Sequence, residues 1–521
     1  MRQRLRLIMA SLLMLLLAAS PVAAPAAAPS SPPGPVQPAG FPGSWYLGAT
    51  PPNLDPTKPV LVFVHGKGGS AATWWAETVY HGTNDMYAYA YNNGYQTAFV
   101  DLEPEGDMWV NGELLQQQLA EITTHVGVER VVIIAHSKGG VDANAAAAFF
   151  GAGPMIEKVI TLGSPHWGTP IADLAYSTWT WWLAALLGQR TDATYVVQTG
   201  YMAWFRSVAD GTSDGVAYYT LGGRKCGPFL TALWWGCMYL DGEDDGVVPM
   251  DFSHKPRATV VADGWWDHDE IRMGSRVWGP IQQVLQSSTS GQQFSPSLAG
   301  GLTAGGGLTN MLARGGEVTG TAGGEPFPVE SGVRGLTLIF YASSPDFVAT
   351  LTGPDGSSYA VTMQSQVSGG EIFAGAWMGS VEIAKPVAGE WRFSAAAAQR
   401  TGYLMVAALD SDLRARLDVG SGTSAPGGKR GLSVAFDQAV RSAIVTGALS
   451  VAGRQPYAQP RFSLAPGGFH RATISLPKQE GVHNLTVTAT GSLPDGSAFE
   501  RTLIASFPVV PKGTQGPWLG R

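Results

Sequence analysis

A serine that acts as a nucleophile needs a backbone that exposes it, a base within hydrogen-bond reach and a carboxylate behind the base. Ser137 ends the apolar run Val131 to Ile134, with Ala135 and Gly139 two positions to either side and Gly140 next. Small side chains at those positions are what the strained corner between a strand and a helix requires. The run before it has the fully apolar character of a strand buried on both faces, and Asp142 to Phe150 supplies a helix after it. Carboxylates cluster in Asp241-Gly-Glu-Asp-Asp-Gly-Val-Val-Pro249, where Asp241, Asp244 and Asp245 are the candidates. Five of the nine histidines, His65, His136, His166, His254 and His268, lie near loops that could carry a base. The glycine-rich stretch His65-Gly-Lys-Gly-Gly69 follows another apolar run and can bring backbone N–H groups close to an anion. It lacks the pattern of a nucleotide phosphate loop.

The elements that must position these residues alternate in type. Pro59 to Val64 reads as one strand and Gly94 to Leu102 as the next. A helix follows, capped by Asn111, with apolar Leu114, Leu115, Leu119, Ile122 and Val126. Val159 to Leu162 and Ala258 to Val261 continue the series. This order predicts an α/β fold, a doubly wound, mostly parallel sheet over residues 44–287. Residues 288–316 are poor in charge and rich in Gly, Ser, Gln and Ala, and read as a linker. Beyond them the period changes to two, as in Leu336 to Tyr341 and Phe347 to Leu351, with turns such as Pro354-Asp-Gly356. No helix is expected there. Pro386 to Phe393 is weakly echoed by Pro477 to Leu485, and Gly353-Pro-Asp-Gly356 by Leu493-Pro-Asp-Gly496. Two all-β sandwich modules are predicted, residues 317–420 and 421–512.

Composition narrows the function classes. The 521 residues carry a net charge of −7 with no basic block, which excludes nucleic acid as an expected partner. Arg2, Arg4 and Arg6 precede the apolar run Leu7 to Ala18, and Ala24-Pro-Ala26 offers a cleavage site, so residues 1–26 read as a signal peptide. Residues 27–43 then form a disordered leader and the mature protein is extracellular. The two cysteines, Cys226 and Cys237, are expected to pair in that oxidising setting. Closing so short a loop is worth about 3 kcal/mol on the chain-entropy view.

Ala135-His-Ser-Lys-Gly-Gly140 and Gly163-Ser-Pro-His-Trp-Gly168 resemble segments of the secreted bacterial lipases of the α/β-hydrolase superfamily. Asp245-Gly-Val-Val-Pro249 resembles their acid loop. The resemblance runs from Pro59 to Glu270 and implies a carboxylic-ester hydrolase. It makes Ser137 the nucleophile, Asp245 the acid and His268 the base, in the chain order of that fold. It places the oxyanion donors on the backbone of Lys67 and Lys138, whose side chains would add charge at the mouth. His166 comes too early in the chain to be the base, His136 is expected to point away from the elbow, and His254 is the rival to His268. No cofactor is required. Some of these lipases hold a structural Ca²⁺ through an aspartate two residues past the catalytic histidine, where this chain has Glu270, so a calcium ion is an open expectation and no metal ligand is assigned.

Tyr176 to Leu187 is aromatic and aliphatic almost all round, and Trp179, Trp181 and Trp182 are expected in a lid that meets the substrate. The predicted substrate is a long-chain ester, first of all a triacylglycerol at an interface, and second an aliphatic polyester such as polyhydroxyalkanoate. The β modules resemble immunoglobulin-like accessory modules that bind a polymer or a surface. The rival from another class is a surface-binding protein with a vestigial hydrolase fold.

Overall fold

The computed structural model describes residues 40–178, 190–229, 231–287, 310–367, 373–452 and 454–520. The signal segment, residues 27–39 of the leader and the tryptophans expected in a lid, Trp179, Trp181 and Trp182, lie outside these residues; the end of the leader, read as disordered, is instead tied to the sheet, where Gly43 N–H donates to Asp101 O at 2.9 Å.

The first half is built on one seven-stranded sheet. Its strands are β1 (Trp45–Leu47), β2 (Leu61–Val64), β3 (Thr97–Val100), β4 (Val131–His136), β5 (Ile156–Leu162), β6 (Ala217–Gly223) and β7 (Thr259–Gly264). They lie in the order β1-β3-β2-β4-β5-β6-β7, parallel except for β1, which runs antiparallel to β3. Alternate residues of each strand point to opposite faces. Val62, Val64, Ile133 and Ala135 meet the helices Met108–Val126 and Lys138–Phe149 through Leu115, Leu119, Ala143 and Ala146. Leu61, Phe63, Val132 and Ile134 meet the helices Met86–Asn92 and Gly274–Gln286 through Met86, Ala90, Val277 and Ile281. Burial on both faces explains why these strands read as unbroken apolar runs.

The strand order reverses between β2 and β4, so the loops leaving their carboxyl ends diverge and open a crevice. One of these loops starts with His65-Gly66 and the other carries Ser137.

One expectation fails locally. The helix read as capped by Asn111 begins at Met108, and its cap is Asp107, whose carboxylate accepts from the N–H groups of Trp109 and Val110. Asn111 lies inside, tying Glu103 to Asp142 through its amide.

The second half is all strand among the described residues, as expected. The strands Met311–Val329 and Gly389–Leu409 are long enough to bend, and with their neighbours they form a seven-stranded sheet around Phe327, Phe340, Phe393 and Tyr403. A four-stranded and a three-stranded sheet then enclose Leu432, Val434, Leu485 and Leu503. Two boundaries differ from the reading of the sequence. The first long strand starts at Met311, inside the stretch read as linker, and Ala415–Asp418 pairs with Lys429–Phe436 in the second unit. Arg501 and Glu330, both fully buried, join the two units as an ion pair.

The two halves share a core. Tyr201 stacks on Trp518, with ring centroids 5.7 Å apart, and Trp204 meets the same indole edge-on at 4.7 Å. Around these rings run hydrogen bonds between the halves. Gly200 N–H donates to Ser506 Oγ at 2.8 Å, Asn484 Nδ2 donates to Gln198 Oε1 at 2.6 Å, and Tyr195 Oη donates to Gly520 O at 2.9 Å. Ser506 Oγ donates in turn to Asp173 Oδ1 at 2.6 Å.

Candidate active site

β4 ends in the bend that the small residues predict. Ser137 has φ 51°, a left-handed conformation that costs a non-glycine residue of order 1–3 kcal/mol. Its N–H donates to Leu162 O of the neighbouring strand at 2.9 Å, which fixes the corner, and the helix Lys138–Phe149 starts at once. Gly139 is required by close approach, since a Cβ there would sit 2.4 Å from His65 O.

At this corner Ser137 Oγ lies 3.0 Å from His268 Nε2, and His268 Nδ1 lies 2.7 Å from Asp245 Oδ2. Asp245 is held on its other side. Its Oδ1 accepts from Val247 N–H at 2.9 Å and Val248 N–H at 2.8 Å, while His268 N–H donates to Asp245 O at 2.8 Å. The carboxylate therefore faces Nδ1 in a fixed orientation, which keeps the proton there and leaves Nε2 free to accept from the serine. The three residues predicted from the sequence are brought together.

The other candidates are held by other partners. Asp244 turns back to accept from Gly246 N–H, and burial pushes its carboxyl up to about 7. Asp241 is exposed and lies 3.8 Å from Arg414. His254 pairs with Asp263 at 2.8 Å, and His166 is buried against Thr161. His65 Nε2 accepts from Leu102 N–H, so its Nδ1–H donates to Gly66 O, and the ring is a brace for the glycine loop. His136 corrects an expectation. It does not point away from the site: its Nε2–H donates to His268 O at 2.9 Å, and its ring lies 4.8 Å from that of His268. Burial holds its imidazole well below the usual range, so it supports His268 as a neutral ring.

The lysines also differ from expectation. Lys138 Nζ is buried and donates to both oxygens of Asp142, at 2.7 and 2.9 Å, and Lys67 Nζ meets Glu105 at 3.1 Å. Neither adds net charge at the mouth. The Lys138 N–H lies at the start of its helix, where backbone donors have no partner inside the helix.

A cavity of about 340 Å³ opens over Ser137 and His268, walled by Val79, Val197, Leu233 and Val248. Leu233 belongs to the helix Ala232–Tyr239, which the Cys226–Cys237 disulfide brackets with its Cα atoms 5.7 Å apart.

A cluster of candidate cation ligands lies beside His268. His81, Asp267 and Glu270 bring ligand atoms within 4.8 Å of one another. Lys225 Nζ already lies 2.7 Å from Glu270, and Arg276 lies 3.0 Å from it. Ca²⁺ takes six to eight oxygen ligands. Two carboxylates, an imidazole and two resident cations do not fit it.

A crystal structure of the Bacillus licheniformis lipase BlEst2 in its propeptide form matches 91% of this chain and 99% of its own, at 31% identity and a TM-score of 0.73. The chain belongs to the lipase/esterase family of α/β hydrolases. It is a carboxylic-ester hydrolase. The mature form of the same lipase matches 47% of this chain and 99% of its own, at 42% identity and a TM-score of 0.44. A family model described as a PGAP1-like alpha/beta domain matches residues 55–178, which include the glycine loop and the elbow. No curated protein sequence matches.

Proposed function

We propose that this chain is an exported serine lipase that cleaves long-chain acyl esters, triacylglycerols first among them, through an acyl-enzyme. The observation that carries the reading is the unbroken line from Ser137 Oγ to His268 to Asp245 at the floor of a cavity whose wall joins Val79, Val197, Leu233 and Val248 to charged Glu77, Asp269 and Arg272. His268 Nε2 takes the serine proton as Oγ attacks the ester carbonyl. Asp245 holds the imidazolium that forms. Backbone N–H groups of Lys67 and Lys138 receive the developing oxyanion, a contribution of about 10²–10³-fold per donor. The proton then passes to the departing alcohol, and water repeats the sequence to free the acid.

Export is supported by the arginine-flanked apolar segment at residues 1–26 and by the disulfide. Among the described residues no helix is long and apolar enough to cross a membrane. A relative that matches 91% of this chain is described in a propeptide form, and by that likeness we read this chain as a precursor form.

The test is hydrolysis of an ester series from butyryl to palmitoyl, with Ser137→Ala as control. Activity that favours long chains and vanishes in the variant is expected. Equal activity in the variant sinks the reading. N-terminal sequencing of protein recovered from the medium is expected to start just past Ala26, and an intact Met1 would overturn export.

A further inference from the structure

The cavity over Ser137 has two unlike sides, both within the hydrolase half. One is made by the loops that follow β5 and β6, which bring Pro165, Val197, Leu233, Val247 and Val248 to it. Among the described residues that side carries no charge, and its hydroxyl, on Thr169, donates to Val247 O at 2.5 Å. The other is made by the loops that follow β2 and β7, which bring Glu77, Asp269 and Arg272 along with Ala72, Ala76 and Val79. These two loops are tied together: Tyr80 N–H donates to Asp269 Oδ2 at 2.9 Å, and His81 Nε2 meets Asp267 Oδ2 at 2.7 Å. Arg272 Nη2 donates to Asp269 Oδ1, and Thr83 Oγ1 donates to Glu77 Oε1. Lys67 and Lys138 also line the cavity, but their ammonium groups are already matched by Glu105 and Asp142.

We propose that the charged side, Glu77, Asp269 and Arg272, is the subsite for the departing alcohol and that it recognises free hydroxyls there, so that the partial glycerides released from a triacylglycerol are substrates in turn and hydrolysis runs through to glycerol. The inference rests on the ester-hydrolase reading of the elbow. The proton sets the direction. His268 Nε2 must pass its proton to the departing oxygen, so the alcohol lies on the imidazole's side of Ser137 and the acyl chain runs the other way. Asp269 and Arg272 follow His268 on the same loop, and the guanidinium is close to the elbow: after burial and His268, its charge helps hold the His136 imidazole low. The chemistry agrees with that direction. A hydroxyl accepts from a guanidinium and donates to a carboxylate, whereas an alkyl group there would displace water from three charged groups and return no hydrogen bond. The acyl chain needs no hydrogen bonds, and the opposite side offers it aliphatic groups.

The experiment compares kcat/KM for glycerol 1-butyrate and propyl butyrate, which share the acyl group and the three-carbon alcohol and differ by two hydroxyls. Protein recovered from the medium is used, so that whatever processing accompanies export is complete. A hydroxyl bonded to a charged group is worth about tenfold or more, and the parent is expected to favour the glycerol ester by about thirtyfold. Arg272→Met is expected to lower that ratio about tenfold and Arg272→Lys to restore part of it. Glu77→Gln, at the exposed rim, is expected to lower it about threefold. The ratio is taken within one preparation, so loss of folded protein cancels, and Glu77→Gln does not disturb the Asp269–Arg272 pair. A parent that shows no preference overturns the subsite while leaving the esterase intact. A preference unchanged in every variant overturns its assignment to the charged side. A parent that cleaves neither ester overturns the ester-hydrolase reading and the subsite with it.

Discussion

Two polar networks, each largely withdrawn from solvent, differ in what they are for. At the elbow, Ser137, His268 and Asp245 are linked end to end, one cavity reaches them, and the serine is held in a backbone conformation it would not choose. At the seam between the halves, Asp173, Thr199, Ser506, Gln198 and Asn484 are fully buried or nearly so, and they bond one another across some three hundred residues of sequence. On the proposed reading, the hydrogen bonds of the first network place a proton. The second uses them so that a polar surface can be buried at all, since an unpaired buried donor or acceptor costs about 1–3 kcal/mol. Substitutions at the elbow should therefore remove activity without melting the protein, and substitutions along the β half should do the reverse.

The strongest test of that division is Ser137→Ala. It is expected to lower kcat by about 10⁵–10⁶-fold while the thermal midpoint stays at or above the parent's; a large drop in the midpoint would show that the elbow is also structural. Asp245→Asn is expected to cost about 10⁴-fold by leaving the imidazole in the wrong tautomer, measured on the butyryl ester. On the other side, Glu330→Ala strands the buried guanidinium of Arg501 and is expected to destabilise by about 3–5 kcal/mol, read by denaturant unfolding. Its turnover of the butyryl ester per folded molecule should match the parent's.

The smallest predicted effect is the most specific. Burial raises the Asp173 carboxyl to about 7, against hydrogen bonds from Ser506 and Thr199 that act to lower it. A carboxyl whose folded pKa lies above its unfolded value of about 3.9 binds more protons in the folded state between the two. Stability from this group is thus present in full below about pH 4 and lost as pH rises through about 7. Relative to Asp173→Asn, the parent's thermal midpoint is expected to fall between pH 5 and pH 8. A constant difference across that range would mean the carboxyl is already ionised in the seam.

Much of the first half was legible because its signals are local. The strands β2, β3 and β4 are buried on both faces, so their sequences are continuous apolar runs, and the corner at Ser137 needs small neighbours that stand out. Asp245 and His268 came from the resemblance of Asp245-Gly-Val-Val-Pro249 to the lipases' acid loop together with their chain order, which alone left Asp241, Asp244 and His254 open. The neutralisation of Lys138 was also open to inspection, since Asp142 lies four residues on along the same helix face, but the reading placed the ammonium at the mouth. The cap at Asp107 was missed because Asn111 is the polar residue nearest the apolar stripe, and an N-cap sits before the first turn, not inside it. The role of His136 depends on a carbonyl more than a hundred residues away, and no period records that. The same holds for the seam. Tyr201, Trp518, Asn484 and Ser506 are ordinary strand or helix residues one at a time, and Asn484-Leu-Thr486, which fits a glycosylation sequon, is buried in a contact with Gln198. Strand alternation told of two β units; it could not tell which surface they cover.

The positive φ of Ser137 has one further consequence. Glycine adopts that conformation without penalty, so at this position the most relaxed polypeptide and the working enzyme are different molecules. The hydroxyl is kept there against a standing preference of the chain itself. A lineage released from the need to cleave esters would find a more stable protein one codon away, and the elbow would be the first place where its loss of purpose became visible.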